Sequence, residues 1–278
     1  QAQLAVTPPM VVAQVARPTA DDYKRADAIV DMIPDTVRAL VRRRDLVMPL
    51  LLGLLLDDDK RLQALQREEI AARQGLAMAT HAAELRTQHL VALHPSVRLP
   101  LASLAFPELR LRPRPELDVF LDTVHAIVHA DGRVSLFEYC LGRLLQVQVT
   151  ESLDPARHLR FGRNKLSDVR SEIATMLCVV AQSGHDSPEL AQRAYLTGIQ
   201  RVLPQDHLPY LARKEGVLAL DATWGPLDAL DPLAKQALVE GLVATIGHDG
   251  MVTVAESELL RTICAALHCP LPPMLERG

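Results

Sequence analysis

The chain has 278 residues, of which 49% are hydrophobic and only 3% are aromatic. This length allows one large or two modest domains with a substantial core. The scarcity of strand-favouring aromatic residues predicts an all-α fold with many helices. A formal net charge of −4 opposes the phosphate contacts on which nucleic-acid binding depends, so we predict no nucleic-acid partner.

The N-terminal part is predicted to be a linker over residues 1–18 and a helical region over 19–115. The linker contains three prolines among small residues, and a capped helix is expected to begin after Thr19. The apolar periodicity predicts the next helices near residues 35–43, 46–56, 60–75 and 78–92. The helix over 46–56 is almost wholly apolar but has about half of the ~20 residues that span a bilayer, so we interpret it as a buried core helix.

The next stretches are predicted with the same criteria. A short helix is expected around residues 101–106, followed by an extended connector over 110–115. Helices are predicted near residues 167–183, 187–203 and 208–220, and a loop over 221–230 contains the single tryptophan. The four cysteines form no Cys-x-x-Cys pair and are interpreted as reduced structural thiols.

One motif occurs twice. The stretch His129–Tyr139 (His-Ala-Asp-Gly-Arg-Val-Ser-Leu-Phe-Glu-Tyr) is echoed by Gly247–Ser257 (Gly-His-Asp-Gly-Met-Val-Thr-Val-Ala-Glu-Ser). Apolar residues at helical spacing flank both stretches, so each copy is predicted to be a helix, a tight turn and a second helix. The copies occupy residues 117–147 and 232–267, and we expect them to form one helical domain over 116–278.

The shared residues have a structural interpretation. In each copy an Asp-Gly pair favours a tight turn, because glycine tolerates a positive φ angle. A hydroxyl residue followed three positions later by glutamate is typical of a capping box at a helix N-terminus. These turn and cap residues are Asp131, Gly132, Ser135 and Glu138 in the first copy and Asp249, Gly250, Thr253 and Glu256 in the second.

A divalent-ion site is the alternative interpretation of the same motif. The spacing from Gly132 to Glu138 equals that between positions 6 and 12 of an EF-hand loop. Positions 1 and 3 of such a loop would be Ile127 and His129, which do not supply the oxygen ligands that a hard cation needs. The weak candidate ligands are Asp131, Glu138, Asp249 and Glu256.

Histidine spacing does not predict an enzyme. His125 and His129 are four residues apart on a predicted helix and could share a metal ion. However, Ala126 stands where the His-Glu-x-x-His motif has glutamate, and the second copy has Val243 and Gly247 at the equivalent positions. We assign no catalytic residue and no cofactor-binding residue to the chain.

Three stretches together resemble one family. The block Arg98–Arg110 (Arg-Leu-Pro-Leu-Ala-Ser-Leu-Ala-Phe-Pro-Glu-Leu-Arg), the stretch His129–Leu145 and the closing stretch Leu259–Pro273 resemble the C-terminal region of large bacterial membrane zinc metallopeptidases. These are the HtpX-like and CAAX prenyl protease-like enzymes of peptidase family M forty-eight. The segment Ala26–Asp57 resembles the same region. The repeated element separately resembles the TerB-like domains of tellurite-resistance proteins.

The resemblance implies a non-catalytic accessory domain, because the family's zinc site is a His-Glu-x-x-His motif with a downstream glutamate on a more N-terminal domain. Zinc is then expected in the catalytic domain of a full-length metalloendopeptidase, with no cofactor in this chain. The implied partners are the protease domain of its own full-length chain and either protein substrates or a regulatory protein.

We expect this fragment to be soluble by itself. As part of a longer chain, it is expected to lie at the cytoplasmic face of the bacterial inner membrane. The alternative is a free-standing TerB-like protein that binds divalent ions or mediates interactions in a stress response.

Overall fold

The computed structural model describes residues 4–5, 32–154 and 162–269. Within these ranges the chain forms twelve α-helices and one pair of two-residue strands, which confirms the predicted all-α fold. The described residues include no helix that is long and apolar enough to cross a membrane.

Two compact units divide the chain. The first unit is Asp27–Pro155, and the second unit is Ala156–Gly278 together with Gln1–Ala26. The division lies after residue 155, whereas the sequence suggested one after residue 115, and each unit therefore contains one copy of the repeated motif. The predicted helix after Thr19 and all of the predicted linker except Leu4–Ala5 lie outside the described residues.

The first unit is built around a buried apolar helix, α2, against which α4, α5 and α6 pack. Its helices are α1 (Asp35–Val41), α2 (Val47–Leu55), α3 (Lys60–Gln74), α4 (Leu76–Leu85), α5 (Pro95–Leu109), α6 (Arg114–Val128) and α7 (Leu136–Leu153). A single π-helical turn, Arg86–Leu90, continues α4.

Every residue of α2 is buried, so its C-terminal carbonyls need partners from other elements. Arg86 Nη1 donates to the carbonyl of Gly53 at 3.2 Å, and Gln66 Nε2 donates to that of Leu55 at 3.1 Å. A Cβ atom on Gly53 would lie 2.8 Å from the carbonyl oxygen of Ala82. Glycine therefore lets α4 approach the backbone of α2 closely.

Helix α5 is longer than the short helix predicted around 101–106. Pro95 stands at its first turn, where a missing N–H costs no hydrogen bond, and the ring nitrogen of His94 accepts the N–H of Ser96. Pro100 and Pro107 lie inside α5, which is held by its many buried side chains. Helix α6 begins at Arg114, within the stretch that was predicted to be an extended connector.

In the second unit α8 packs against α9, α11 and α12. Its helices are α8 (Arg170–Gly184), α9 (Pro188–Val202), α10 (Trp224–Asp228), α11 (Pro232–Ile246) and α12 (Val254–Ala266). Short 3-10 turns cover Leu166–Asp168 and Gly216–Leu220, and strand β1 (Leu4–Ala5) pairs antiparallel with β2 (Met251–Val252).

The prediction of a helix over residues 208–220 is wrong, because this segment is helical only in the 3-10 turn Gly216–Leu220 at its end. Side chains of neighbouring helices hold this segment in place of helical hydrogen bonds. Tyr195 donates its hydroxyl to the carbonyl of Leu208 at 2.9 Å. The side-chain amide of Gln182 accepts the N–H of Arg213 with its oxygen and donates to the carbonyl of Arg213 with its nitrogen. The loop predicted over 221–230 contains the short helix α10.

Helices α9 and α11 cross at two glycines. A Cβ atom on Gly198 would overlap Oγ1 of Thr245, and one on Gly241 would overlap Cγ2 of Val202. The two backbones therefore meet at a distance that leaves no room for a side chain at either glycine.

Candidate functional site

The first copy of the motif forms a capped turn between α6 and α7. Asp131 Oδ1 accepts the N–H of Arg133 at 2.9 Å, and Gly132 has a φ of +73°. Ser135 Oγ accepts the N–H of Glu138 at 3.2 Å, and Glu138 Oε2 accepts the N–H of Ser135 at 3.0 Å. Both halves of the capping box are therefore formed at the start of α7.

Glu138 also connects this turn to α2 and α3. Its other oxygen, Oε1, accepts a hydrogen bond from Nε2 of Gln66, which is fully buried, and Gln66 Oε1 accepts the N–H of Asp57 at 2.7 Å. Burial raises the pKa of Glu138 against the opposing effect of its bonds to Ser135, and the nearby charges of Asp57 and Asp131 raise it further.

The second copy repeats this geometry between α11 and α12. Asp249 Oδ1 accepts the N–H of Met251 at 2.9 Å, and Gly250 has a φ of +80°. Thr253 Oγ1 accepts the N–H of Glu256 at 3.2 Å, and Glu256 Oε2 accepts the N–H of Thr253 at 2.8 Å. Burial also raises the pKa of Glu256.

Two histidines that the sequence did not single out lie beside this second turn. His185 follows the last residue of α8, and its ring centroid is 5.1 Å from that of His248. Nε2 of His185 lies 3.8 Å from Oδ2 of Asp249. One ligand atom from each of these three residues lies within 4.8 Å of the others. Among the described residues, this is the only group of three or more potential metal ligands that lie so close together.

Two ring nitrogens of this cluster, one on each histidine, are buried and lack a hydrogen-bond partner among the described residues. His185 Nδ1 lies 3.0 Å from the carbonyl oxygen of Ala181, and a carbonyl only accepts, so this nitrogen carries the hydrogen. Nε2 of His185 and Nδ1 of His248 have no hydrogen-bond partner within the described part of the chain. Burial lowers the pKa of His248, and the neighbouring His185 lowers it further.

In each unit, one residue before a helix N-terminus occupies a corresponding position beside the repeated motif. Asp57 and His185 each stand two residues before the residue that caps the following helix, Asp59 for α3 and Ser187 for α9. Asp57 lies near Glu138 of the first copy, and His185 lies near Asp249 of the second. Aligning these helix ends is the sequence signal that could have found His185, since the motif comparison alone did not include it.

The pair His125 and His129 has a different arrangement. Their ring centroids are 4.2 Å apart, but Nδ1 of His129 donates to the carbonyl oxygen of His125 at 2.8 Å. Neither histidine belongs to a cluster of three ligand groups among the described residues.

A cleft opens between the C-terminal ends of α5 and α7 in the first unit. It has a volume of about 430 Å³. Its lining combines apolar and polar side chains, namely Phe106, Leu109, Arg110, Leu111, Gln148, Val149, Glu151 and Ser152. Three of these residues belong to the Arg98–Arg110 block.

Comparison of the chain with protein-family models, with curated proteins and with solved structures finds no match. The resemblance to membrane zinc metallopeptidases and to TerB-like domains therefore stays a prediction.

Proposed function

We propose that the chain is a non-catalytic accessory module of a membrane-anchored zinc endopeptidase, in which it binds a protein substrate or a regulatory partner. The observation that carries this proposal is the cleft between α5 and α7. Phe106, Leu109 and Arg110 of the Arg98–Arg110 block, on which the family resemblance rests, contribute to its lining. The sequence that suggests the family thus coincides with a concave surface.

The lining of the cleft suits a short peptide segment. Its volume falls in the range of about 300–1,000 Å³ that is common for binding pockets, and Phe106 and Leu109 are apolar. Arg110 adds a positively charged group to the lining, which can orient the polar groups of a peptide. The guanidinium carbon of Arg98 lies 5.9 Å from the ring centroid of Phe137, a cation–π contact between α5 and α7.

The repeated motif contributes to this function as scaffold. Glu138 and Glu256 each accept hydrogen bonds that begin a helix, and Asp131 and Asp249 each close a turn. These bonds give the carboxylates a structural role without a ligand. Binding of a hard divalent cation by the same four carboxylates stays the alternative prediction.

The experiment combines cell fractionation with site-specific photo-crosslinking. An antibody against this chain should detect a band well above 30.6 kDa in the membrane fraction of the source cells. A photo-reactive amino acid in place of Leu111, which lies in the cleft and is 52% exposed, should crosslink to a second polypeptide or to the protease region.

The matched control is the same photo-reactive residue in place of Leu76, which is 73% exposed on α4 of the same unit and does not line the cleft. Equal crosslinking from both positions would contradict a role for the cleft. A soluble band at 30.6 kDa would contradict the membrane-enzyme proposal and favour a free-standing protein.

A further inference from the structure

We propose that His185, His248 and Asp249 form a binding site for a transition-metal dication of the Zn²⁺ class in the second unit. The proposed function gives the chain no metal, and this inference does not depend on it. Both imidazoles come from the ends of helices, His185 after α8 and His248 after α11, and the carboxylate comes from the Asp-Gly turn that follows.

The separations of the ligand atoms are close to those that such an ion requires. Zinc binds histidine nitrogen and carboxylate oxygen at about 2.0–2.2 Å, so two ligands of a tetrahedral site lie roughly 3.3–3.5 Å apart. Nε2 of His185 and Oδ2 of Asp249 are already 3.8 Å apart, and all three ligand atoms lie within 4.8 Å of one another. Small side-chain rotations would therefore complete the site.

His185 is held in the form that a metal ligand needs. Its side chain is only 4% exposed, and its Nδ1 hydrogen is donated to the carbonyl of Ala181. This bond leaves the lone pair on Nε2, which lies 3.8 Å from Oδ2 of Asp249 and has no hydrogen-bond partner among the described residues. Metal-bound histidines commonly donate their second nitrogen to a backbone carbonyl in this way.

The carboxylate of Asp249 is also held by a backbone hydrogen bond, whereas His248 brings a buried nitrogen without a partner among the described residues. Asp249 uses Oδ1 to accept the N–H of Met251, which fixes the carboxylate and leaves Oδ2 for the ion. Nδ1 of His248 is buried without a partner, and a buried nitrogen of this kind is unfavourable unless something binds it. Glu256 lies close enough to His185 and Asp249 to interact with both electrostatically, and Arg193 places a positive charge near His248.

The ligand types decide the class of metal. Two imidazoles and one carboxylate suit Zn²⁺ and its neighbours Co²⁺, Ni²⁺ and Cu²⁺, whereas Ca²⁺ and Mg²⁺ prefer sites made only of oxygen. Three protein ligands leave a fourth position for water or another ligand. In the first unit the corresponding residues are Asp57, Ala130 and Asp131, which lack imidazoles, so only the second unit is expected to bind the ion.

The test uses the purified 278-residue chain, stripped with a chelator and titrated with Zn²⁺ by calorimetry. We expect one Zn²⁺ per chain at this site, and a higher melting temperature with Zn²⁺ but not with Ca²⁺. His185→Gln and His248→Gln should each weaken binding by at least about tenfold, and Asp249→Asn by a similar factor. Titration with Co²⁺ should give the visible absorption of a low-coordinate site.

The matched control is the double variant His125→Gln/His129→Gln, which removes two neighbouring histidines of the first unit and should bind Zn²⁺ as the wild type does. Circular dichroism without metal shows which variants fold. If one of them fails to fold, the remaining variants and the Co²⁺ spectrum of the wild type decide the question. Absence of Zn²⁺ binding by the wild type would overturn the proposal, as would binding that only the His125/His129 control abolishes.

Discussion

A Cβ atom added to Gly184, the last residue of α8, would overlap the carboxylate of Glu256 in α12. The carboxylate cannot swing away freely, because Thr253 donates to it from both its N–H and its hydroxyl, and Glu256 is only 2% exposed. We expect Gly184→Ala to lower the free energy of unfolding by about 1–3 kcal/mol, as measured by urea denaturation.

The control for this prediction is Gly142→Ala in α7. A Cβ atom there would lie 3.6 Å from Cγ2 of Val128, which is ordinary packing distance. Because alanine favours a helix interior over glycine, this variant should be as stable as the wild type or gain about 0.5–1 kcal/mol. A Gly184→Ala variant that behaves like Gly142→Ala would show that Glu256 moves easily, contrary to its role in the capping box.

The Asp-Gly turns should depend more on glycine than on aspartate. Gly132 and Gly250 have positive φ angles and open space around them, so a side chain there is disfavoured by the backbone alone. We expect Gly132→Val and Gly250→Val to cost more than about 1–2 kcal/mol each. Asp131→Asn keeps an oxygen that can accept the N–H of Arg133 and should change stability by less than about 0.5 kcal/mol. Equal losses in chemical denaturation would contradict this account of the turn.

Glu138 should make stability depend on pH. Burial raises its pKa above the ordinary value of 4.5, so the folded state holds this proton more tightly than the unfolded state does. The contribution of Glu138 to stability therefore falls as pH rises from the unfolded pKa through the raised folded pKa. Wild type should lose stability relative to Glu138→Gln over this window, as followed by urea midpoints between about pH 4 and 7.

Glu189 provides a control for which the change of stability with pH should have the opposite sign. The hydroxyl of Ser187 donates to its carboxylate and lowers its pKa. Wild type should therefore gain stability relative to Glu189→Gln as pH rises through the lowered folded pKa toward the unfolded value. The prediction would be contradicted if the difference in stability between wild type and Glu138→Gln stayed constant with pH. It would also be contradicted if this difference changed in the same direction as the difference between wild type and Glu189→Gln.

Gln66 should be among the polar residues on which the first unit most depends. Its amide donates to the carbonyl of Leu55 and to Glu138, and it accepts the N–H of Asp57. Gln66→Leu keeps the volume but leaves these buried groups without partners, so we expect a loss of about 1–3 kcal/mol in urea denaturation. Gln63→Leu, on the same helix, removes one hydrogen bond to the carbonyl of Asp57 and should cost less. The reverse order would contradict the role given to Gln66.

Local signals made the all-α fold, the capping boxes and the turns predictable from sequence. Ser135 and Glu138 are three residues apart, and their bonds need no distant partner. The segment over 208–220 could not be predicted, because Tyr195 and Gln182, on α9 and α8, decide its conformation. The histidine cluster escaped detection for the same reason, since the approach of His185 to the second turn is set by how the helices pack.

The crossing of α9 and α11 has a consequence for how this chain can evolve. Any side chain at Gly198 collides with Thr245, and any at Gly241 collides with Val202. Substitution of Gly241 becomes acceptable only after Val202 has become smaller, so the order in which mutations arise matters. At Gly198 an added Cβ atom would also lie 2.8 Å from the backbone carbonyl oxygen of Gly241, so a smaller residue in place of Thr245 does not by itself make room. Epistasis between these positions should therefore be strong, and adaptive change in the second unit is expected to begin elsewhere, at positions where a single mutation is tolerated.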